Sequence, residues 1–341
     1  MKLAKTVRSL VLCSMCSFFA VSAMAATTVV GSGASFPAPI YTTWFKQFSR
    51  ANKGVQINYQ AKGSGAGIRD FIDHTVDFAA SDAAMTEKQI AKVPEGVQLL
   101  PMTAGEIVLA YNLKGVKDLQ LSREAYTGIF LGKIKKWNDP VLVKANPGVT
   151  MPDEEITVVS RADSSGTSYV FTQHLAAISP EFAKNPGYGK TVNWPSAIKM
   201  VKAPKNDGVT ATIKQTPGAI GYIEYGYAKM TKQPMAKLEN KAGKFVAPGL
   251  EGGQAALANA KLPENMIAWI TDPAGDQSYP IATYTWMMFY KKYSDPAKAE
   301  ILRNMVAYCL DHGQKIADKI GYIPLPANVV EKVRAASANI Q

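Results

Sequence analysis

The sequence predicts an α/β protein, and three observations carry that prediction. Strand-like and helix-like segments alternate along most of the 341 residues, which is typical of sheets covered by helices. Several predicted strands run directly into a turn rich in serine and glycine, and each turn precedes a segment with apolar residues at helical spacing. About 315 residues remain once an N-terminal export signal is removed, a length that favours two domains over one.

The individual elements follow from residue type and spacing. Short runs rich in β-branched and aromatic residues indicate strands, and apolar residues three and four apart indicate helices. Segments rich in proline, glycine and lysine, around 184–205 and 232–253, are predicted to be surface loops. The predicted strands are 29–30, 55–59, 75–79, 98–102, 107–112, 156–160, 220–223 and 281–290. The predicted helices are 39–52, 65–72, 123–130, 167–177, 207–215, 225–230, 298–317 and 328–337.

Residues 1–25 have the features of a secretory signal peptide. Lys2, Lys5 and Arg8 precede the apolar run 10–21, and Ala23-Met-Ala25 forms a cleavage site of the A-x-A type. The apolar run is too short to span a bilayer. We therefore predict cleavage after Ala25 and a mature protein that is exported and soluble.

Charge and cysteine content narrow the possible functions. The formal net charge is +11, and without the three basic residues of the signal peptide 35 basic residues stand against 27 acidic ones, an excess of +8. The lysines are scattered, which is typical of a solvated surface, and neither this pattern nor export favours a nucleic acid partner. After cleavage Cys309 is the single cysteine of the chain, so no internal disulfide can form. Its apolar neighbours at helical spacing indicate a buried thiol.

The most informative stretch is 161–168, which reads Arg-Ala-Asp-Ser-Ser-Gly-Thr-Ser. It follows a predicted strand and opens a predicted helix, so Ser165, Gly166 and Thr167 fall at a helix N-terminus. The first N–H groups of a helix have no partner within it, and the helix dipole favours negative charge there. Together with the Arg161 guanidinium, these residues predict a site for an anion with several oxygens.

Three further turns repeat the theme. The segments 31–37 and 63–67 are Ser/Gly turns between a predicted strand and a predicted helix, and 79–82 ends in Asp82. A single turn of this kind often does no more than cap a helix. Asp82 in particular fits either a helix cap or a hydrogen-bond acceptor in a ligand site.

These motifs identify a family. The chain resembles the periplasmic phosphate-binding proteins of Pst-type ABC phosphate importers along essentially its whole mature length. The resemblance implies a type II periplasmic binding protein, in which two α/β lobes are joined by a two-strand hinge and hold the ligand in the cleft between them. Lobe 1 would comprise 26–103 and 280–341, and lobe 2 would comprise 104–279. The segments that carry the resemblance are 31–41, 75–82, 130–138, 161–168, 217–225 and 330–336.

The resemblance also implies a function and a set of ligand contacts. The expected activity is high-affinity binding of inorganic phosphate in the periplasm, closure of the lobes around the dehydrated anion, and delivery to the membrane permease subunits of the importer. We expect a monomer that is not an enzyme and needs no cofactor or metal. Arg161 would supply positive charge, Asp163 would hold its guanidinium, and Asp82 would accept the phosphate proton. The implied phosphate contacts are Ser35, Phe36, Ser64, Asp82, Arg161, Ser165, Gly166 and Thr167.

One turn departs from the family pattern. Ala66 stands where familiar members have a glycine or serine, and Lys62 just before the turn is unusual. Ser64 is retained, so its contact should survive. Lys62 either adds positive potential near the site or is simply solvated, and we favour the second reading.

Two alternatives remain open. The first is an exported phosphoester hydrolase, which needs an activated nucleophile or clustered metal ligands. No G-x-S-x-G, H-x-H, H-E-x-x-H or D-x-D pattern occurs, and His74, His174 and His312 are better explained as packed or surface residues than as bases. The second is a receptor for another tetrahedral oxyanion such as sulfate, which Asp82 would repel.

Overall fold

A computed structural model describes residues 26–258 and 260–341, and the predicted signal peptide 1–25 lies outside the described residues. The predicted α/β class is confirmed. The strands are β1 (Thr27–Gly33), β2 (Val55–Ala61), β3 (Phe78–Ser81), β4 (Val97–Asn112), β5 (Gln120–Leu121), β6 (Thr157–Arg161), β7 (Met200–Ala203), β8 (Ala219–Glu224), β9 (Lys237–Glu239), β10 (Phe245–Val246) and β11 (Ala282–Tyr290).

Helices fill most of the connections between these strands. Short π-helical and 3-10 segments, Cys309–Gly313 and Gln314–Ile316, join the eleventh helix to the twelfth. The α-helices are α1 (Ala38–Ala51), α2 (Ser64–Ile72), α3 (Glu87–Ile90), α4 (Arg123–Phe130), α5 (Pro140–Ala145), α6 (Gly166–Ile178), α7 (Pro180–Lys184), α8 (Lys205–Gln215), α9 (Tyr225–Thr231), α10 (Leu250–Leu257), α11 (Pro296–Tyr308), α12 (Ala317–Ile320) and α13 (Ala327–Ser337).

Eight strands form one sheet, in the order β2-β1-β3-β11-β4-β8-β6-β7. The sixteen-residue strand β4 links its two halves, because it pairs with β11 through Glu106 and with β8 from Ile107 onward. β1, β2 and β3 run parallel to one another, and β11 is antiparallel to both β3 and β4, so β4 runs in the same direction as β3. β8, β6 and β7 run against β4.

The directions of these strands determine where the turns that follow them meet. The carboxyl ends of β1, β2 and β3 point toward the second half of the sheet, while those of β8, β6 and β7 point back toward the first half. The turns that follow both sets of strands therefore meet where β4 passes from one half to the other. Ligands of α/β proteins bind at the carboxyl ends of strands for the same reason. The predicted lobe boundaries at 103/104 and 279/280 fall near this passage and stay a prediction.

Most predicted elements match the structure, and the exceptions have physical causes. The loop prediction for 184–205 is wrong at β7, a four-residue edge strand within a segment whose prolines, glycines and lysines resemble a loop in composition. The loop prediction for 232–253 is wrong at β9, β10 and the start of α10. The two strands predicted at 98–102 and 107–112 are one strand, and the strand predicted at 75–79 begins only at Phe78.

The helix predicted over 298–317 is interrupted. Its π-helical segment contains Gly313, which lies against the buried indole of Trp44, where a Cβ would come within 2.6 Å of Nε1. Cys309, in the same segment, is buried as predicted, and burial raises the pKa of its thiol. None of the helices within 26–258 and 260–341 has the length and apolar character needed to cross a membrane.

Candidate anion-binding site

Three predicted site residues lie together at the carboxyl ends of the first parallel strands. Ser35 comes after β1, Ser64 is the first residue of α2 after β2, and Asp82 follows β3 directly. All three are buried. The Asp82 backbone N–H donates to the Ser64 hydroxyl oxygen at 3.2 Å, and that oxygen lies 3.4 Å from Asp82 Oδ2. The first half of the sheet thus contributes two hydroxyls and one carboxyl group.

The second half contributes a buried cation. Arg161 ends β6, and its side chain is 2% exposed. Nε and Nη2 donate to the two carboxylate oxygens of Asp163 at 2.9 and 2.6 Å, while Nη1 donates to the Thr167 hydroxyl oxygen at 3.2 Å. Burial raises the pKa of Asp163, but the hydrogen bonds and charge of Arg161 lower it further, so it stays below its ordinary value. The guanidinium is therefore held by an ionised partner.

The start of α6 presents the backbone donors. Ser165 caps this helix, because its hydroxyl oxygen accepts from the Ser168 N–H at 3.0 Å. Within residues 26–258 and 260–341, the backbone N–H groups of Gly166, Thr167 and Phe36 make no hydrogen bond to a protein acceptor. The predicted N–H donors are thus not engaged by the protein itself and can serve an anion.

The two groups of residues face each other closely. A Cβ added to Gly166 would lie 2.3 Å from Ser64 Oγ and 2.6 Å from Asp82 Oδ2, so only glycine fits there. The Gly65 N–H also donates to the Ser164 carbonyl at 2.9 Å. The structure therefore brings all eight predicted contact residues, from Ser35 to Thr167 in sequence, to the junction of the sheet halves, and every one of them is buried.

Asp82 acts as an acceptor and not as a helix cap. The next helix, α3, is capped by Thr86, whose hydroxyl oxygen accepts from the Gln89 N–H. Asp82 Oδ1 instead accepts from the Thr285 hydroxyl at 2.8 Å. Burial raises the pKa of Asp82 to about 7, against the lowering effects of Thr285, Arg161 and Ser64. Its carboxyl group is therefore close to the midpoint of its ionisation at neutral pH.

Two residues of the site were missed from sequence. Thr285 lies in β11, and Asn206 lies in the first turn of α8, where it contacts both Ser35 and Thr167. Thr285 is one polar residue in a buried strand, and no local pattern marks it. A strand recognised at 200–203 would have placed Asn206 at a strand-to-helix turn of the kind that holds the other contacts.

Lys62 and the histidines take structural positions. Lys62 Nζ pairs with Asp70 Oδ2 at 3.0 Å at the surface, so its charge is partly balanced by that carboxylate as well as solvated. His174 is buried, accepts or donates one hydrogen bond with the Tyr126 hydroxyl at 3.0 Å, and has its pKa lowered to about 4 by burial. His74 pairs with Glu95 at the surface, and His312 is exposed. The predicted packed or surface positions of these histidines are confirmed.

Comparison with known proteins defines first the class and then the family. Residues 20–311 match a family model described as a PBP superfamily domain. The phosphate-binding protein PstS of Pasteurella multocida is 38% identical over 336 residues, covering 97% of this chain and 95% of that protein. PstS of Haemophilus influenzae is 38% identical over 317 residues, covering 91% and 92%. The chain belongs to the PstS family of phosphate-binding proteins.

Solved structures agree on the fold. A periplasmic phosphate-binding protein (PfluDING) bound with phosphate superposes with a TM-score of 0.76 at 20% identity, covering 91% of this chain and 93% of that one. A phosphate-binding protein from Stenotrophomonas maltophilia superposes with a TM-score of 0.73 at 22% identity, covering 91% and 94%. At these identities the likeness establishes the shared architecture alone, and the two-lobed arrangement predicted from sequence is consistent with it.

Proposed function

We propose that this protein binds inorganic phosphate in the periplasm and delivers it to the permease subunits of an ABC importer. The observation that carries the proposal is that one buried cluster of hydroxyl and N–H donors contains both a guanidinium, that of Arg161, and a carboxyl group, that of Asp82. Family membership supports it, since the curated relatives are named phosphate-binding proteins.

The donors suit a dehydrated oxyanion. The proposed contacts are the hydroxyls of Ser35, Ser64, Ser165 and Thr167, the N–H groups of Phe36, Gly166 and Thr167, and the charge of Arg161. Hydrogen bonds to an ionised acceptor are shorter and stronger than those between neutral partners. Burial removes competing water and strengthens each contact further.

Asp82 suits phosphate in particular. At neutral pH a phosphate dianion still carries one proton, and a carboxylate can accept it. With the pKa of Asp82 raised by burial to about 7, the proton shared in the complex can come from either group. Sulfate brings no proton, so an ionised Asp82 meets it with charge repulsion and no hydrogen bond.

Binding without catalysis fits the site better than hydrolysis. A hydrolase would need a base beside a nucleophilic hydroxyl, and the buried His174 contacts the Tyr126 hydroxyl instead. We expect no turnover of a chromogenic phosphomonoester under conditions in which phosphate binds. Release of the chromophore at a rate that Ser165→Ala abolishes would favour the hydrolase.

Export and the two-lobe mechanism are part of the same proposal. Residues 1–25 would direct the chain to the periplasm and be removed. Lobe 1 (26–103 and 280–341) and lobe 2 (104–279) would move about the connections near 103/104 and 279/280. The proposed phosphate contacts come from both lobes, which supports a lobe movement. A ligand that bridges two lobes stabilises the closed arrangement over the open one.

Phosphate is expected to compact the protein in solution. Small-angle X-ray scattering of phosphate-stripped protein should give a larger radius of gyration than the same sample with saturating phosphate. Gly166→Ala is the informative variant, because its methyl group would overlap Ser64 and Asp82 as they lie in this structure. This variant should fold normally, fail to compact and bind phosphate weakly. A radius of gyration unchanged by phosphate in the parent protein would contradict the closure mechanism.

A further inference from the structure

Asn206 joins the two sides of the site without being a predicted phosphate contact. It is completely buried in the first turn of α8. Its backbone N–H and its side-chain Nδ2 both donate to the Ser35 hydroxyl oxygen, at 3.1 and 3.0 Å. Nδ2 also donates to the Thr167 hydroxyl oxygen at 3.2 Å. One side chain therefore contacts a hydroxyl from each half of the sheet.

The orientation of the Asn206 amide is fixed by a backbone group. Its Oδ1 accepts from the Glu224 backbone N–H at 2.9 Å. A backbone N–H can only donate, so the atom facing Glu224 must be the oxygen, and the NH₂ group must face the two hydroxyls. The reversed amide would leave two donors facing each other in a buried place, which is costly.

This orientation determines what the two hydroxyls can do. A hydroxyl has two lone pairs and one proton. The Ser35 oxygen accepts twice from Asn206, and the Thr167 oxygen accepts from Asn206 and from Arg161 Nη1. Both lone pairs of each oxygen are thus engaged by donors. The one capacity left to each hydroxyl is to donate its own proton.

We propose that Asn206 is a positioning residue that sets the Ser35 and Thr167 hydroxyls as hydrogen-bond donors toward the bound anion. The proposal rests on the proposed phosphate-binding function. An anion needs donors, and a hydroxyl whose proton is free to turn toward a neighbouring acceptor offers a lone pair to the anion instead. Occupying the lone pairs in advance removes that option and lowers the cost of organising the site on binding.

Asn206→Asp is the sharpest test. It keeps the size of the side chain and the acceptor for the Glu224 N–H, but replaces the NH₂ donor with an oxygen that attracts the Ser35 and Thr167 protons. Losing two donors to a charged ligand is expected to weaken phosphate binding roughly 100-fold or more in calorimetric titration. Circular dichroism and the unfolding temperature establish that the variant is folded. Affinity within about threefold of the parent would overturn the proposal.

A double-mutant cycle tests whether Asn206 acts through the two hydroxyls or only supports the fold. It uses alanine, so the negative charge that aspartate adds plays no part. Asn206→Ala is introduced into the parent and into a Ser35→Ala/Thr167→Val background. We expect a loss of roughly tenfold in the parent and less than about threefold in the background without the hydroxyls, because coupling appears only when Asn206 acts through them. Equal losses in both backgrounds would overturn the positioning role while leaving phosphate binding by the parent intact. A parent that binds no phosphate would remove the proposed function and this inference together.

Discussion

Replacing Arg161 with alanine is expected to weaken phosphate binding by roughly 30-fold to several thousand-fold, the range expected when a buried charged donor is truncated. The guanidinium is almost wholly buried and has Asp163 as its ionised partner. Its removal takes a cation from the ligand and also leaves the Asp163 carboxylate beside the anion without its partner. Both effects act against phosphate. The measurement is calorimetric titration of phosphate-stripped protein.

A matched hydroxyl deletion sets the scale for that result. Ser64→Ala removes one neutral hydroxyl from the same site and is expected to weaken binding about 2- to 13-fold. Ser165→Ala is a less suitable control, because Ser165 also caps α6 and its loss lowers helix stability as well. Equal affinities for Arg161→Ala and Ser64→Ala would show that Arg161 does not carry the charge of the site.

Replacing Asp82 with asparagine is expected to admit sulfate. Asparagine keeps the size of the side chain, removes the charge and supplies an NH₂ donor. Phosphate should bind only modestly less well, because it can both donate and accept, whereas sulfate gains a donor and loses a repulsion. The preference for phosphate over sulfate should therefore shrink. Complete rejection of sulfate by the variant would show that Asp82 does not discriminate between the two anions.

The same discrimination should depend on pH in the parent protein. Burial raises the pKa of Asp82 from 3.8 to about 7, so the carboxyl group gains a proton as the pH falls through 7 and becomes a donor. Sulfate does not titrate in this range. We expect sulfate affinity of the parent to rise between pH 8 and pH 5.5, and that of Asp82→Asn to change much less. A parallel response of the two proteins would assign the pH effect to another group.

The raised pKa also bears on stability, and the sign follows from proton uptake. Between pH 4 and pH 7 the folded protein holds a proton on Asp82 that the unfolded chain has released. The free energy of unfolding contributed by this group therefore falls as the pH rises through that window. Well above pH 7 the group is ionised in both the folded and the unfolded chain, and its contribution no longer changes with pH.

The sequence predicted which residues lie together at the sheet junction more fully than it predicted the elements around them. Ser35, Ser64 and Thr167 follow strands in recognisable Ser/Gly turns, and Arg161 is the last residue of such a strand. Turn chemistry is a local property that a sequence displays directly. The resemblance to a family then implied that all of these turns line the same cleft. The eight predicted contact residues lie together because the carboxyl ends of both sets of strands point to the same junction.

What the sequence did not predict depends on long-range packing. Thr285 contacts Asp82 only because β11 inserts between β3 and β4, although it lies 203 residues further along the chain. Asn206 follows a short edge strand within a segment whose prolines, glycines and lysines resemble a loop in composition. The raised pKa of Asp82 comes from complete burial by segments of both sheet halves, and burial of this kind has no local signal.

Calorimetric titration of phosphate-stripped protein measures directly whether this chain binds inorganic phosphate selectively. Phosphate and sulfate are titrated separately into the same preparation at pH 8, where Asp82 is ionised. We expect a saturable heat with one phosphate per chain and no binding heat with sulfate. Saturable binding of sulfate as tight as that of phosphate, or the absence of any phosphate heat from the stripped protein, would contradict selective phosphate binding by this chain.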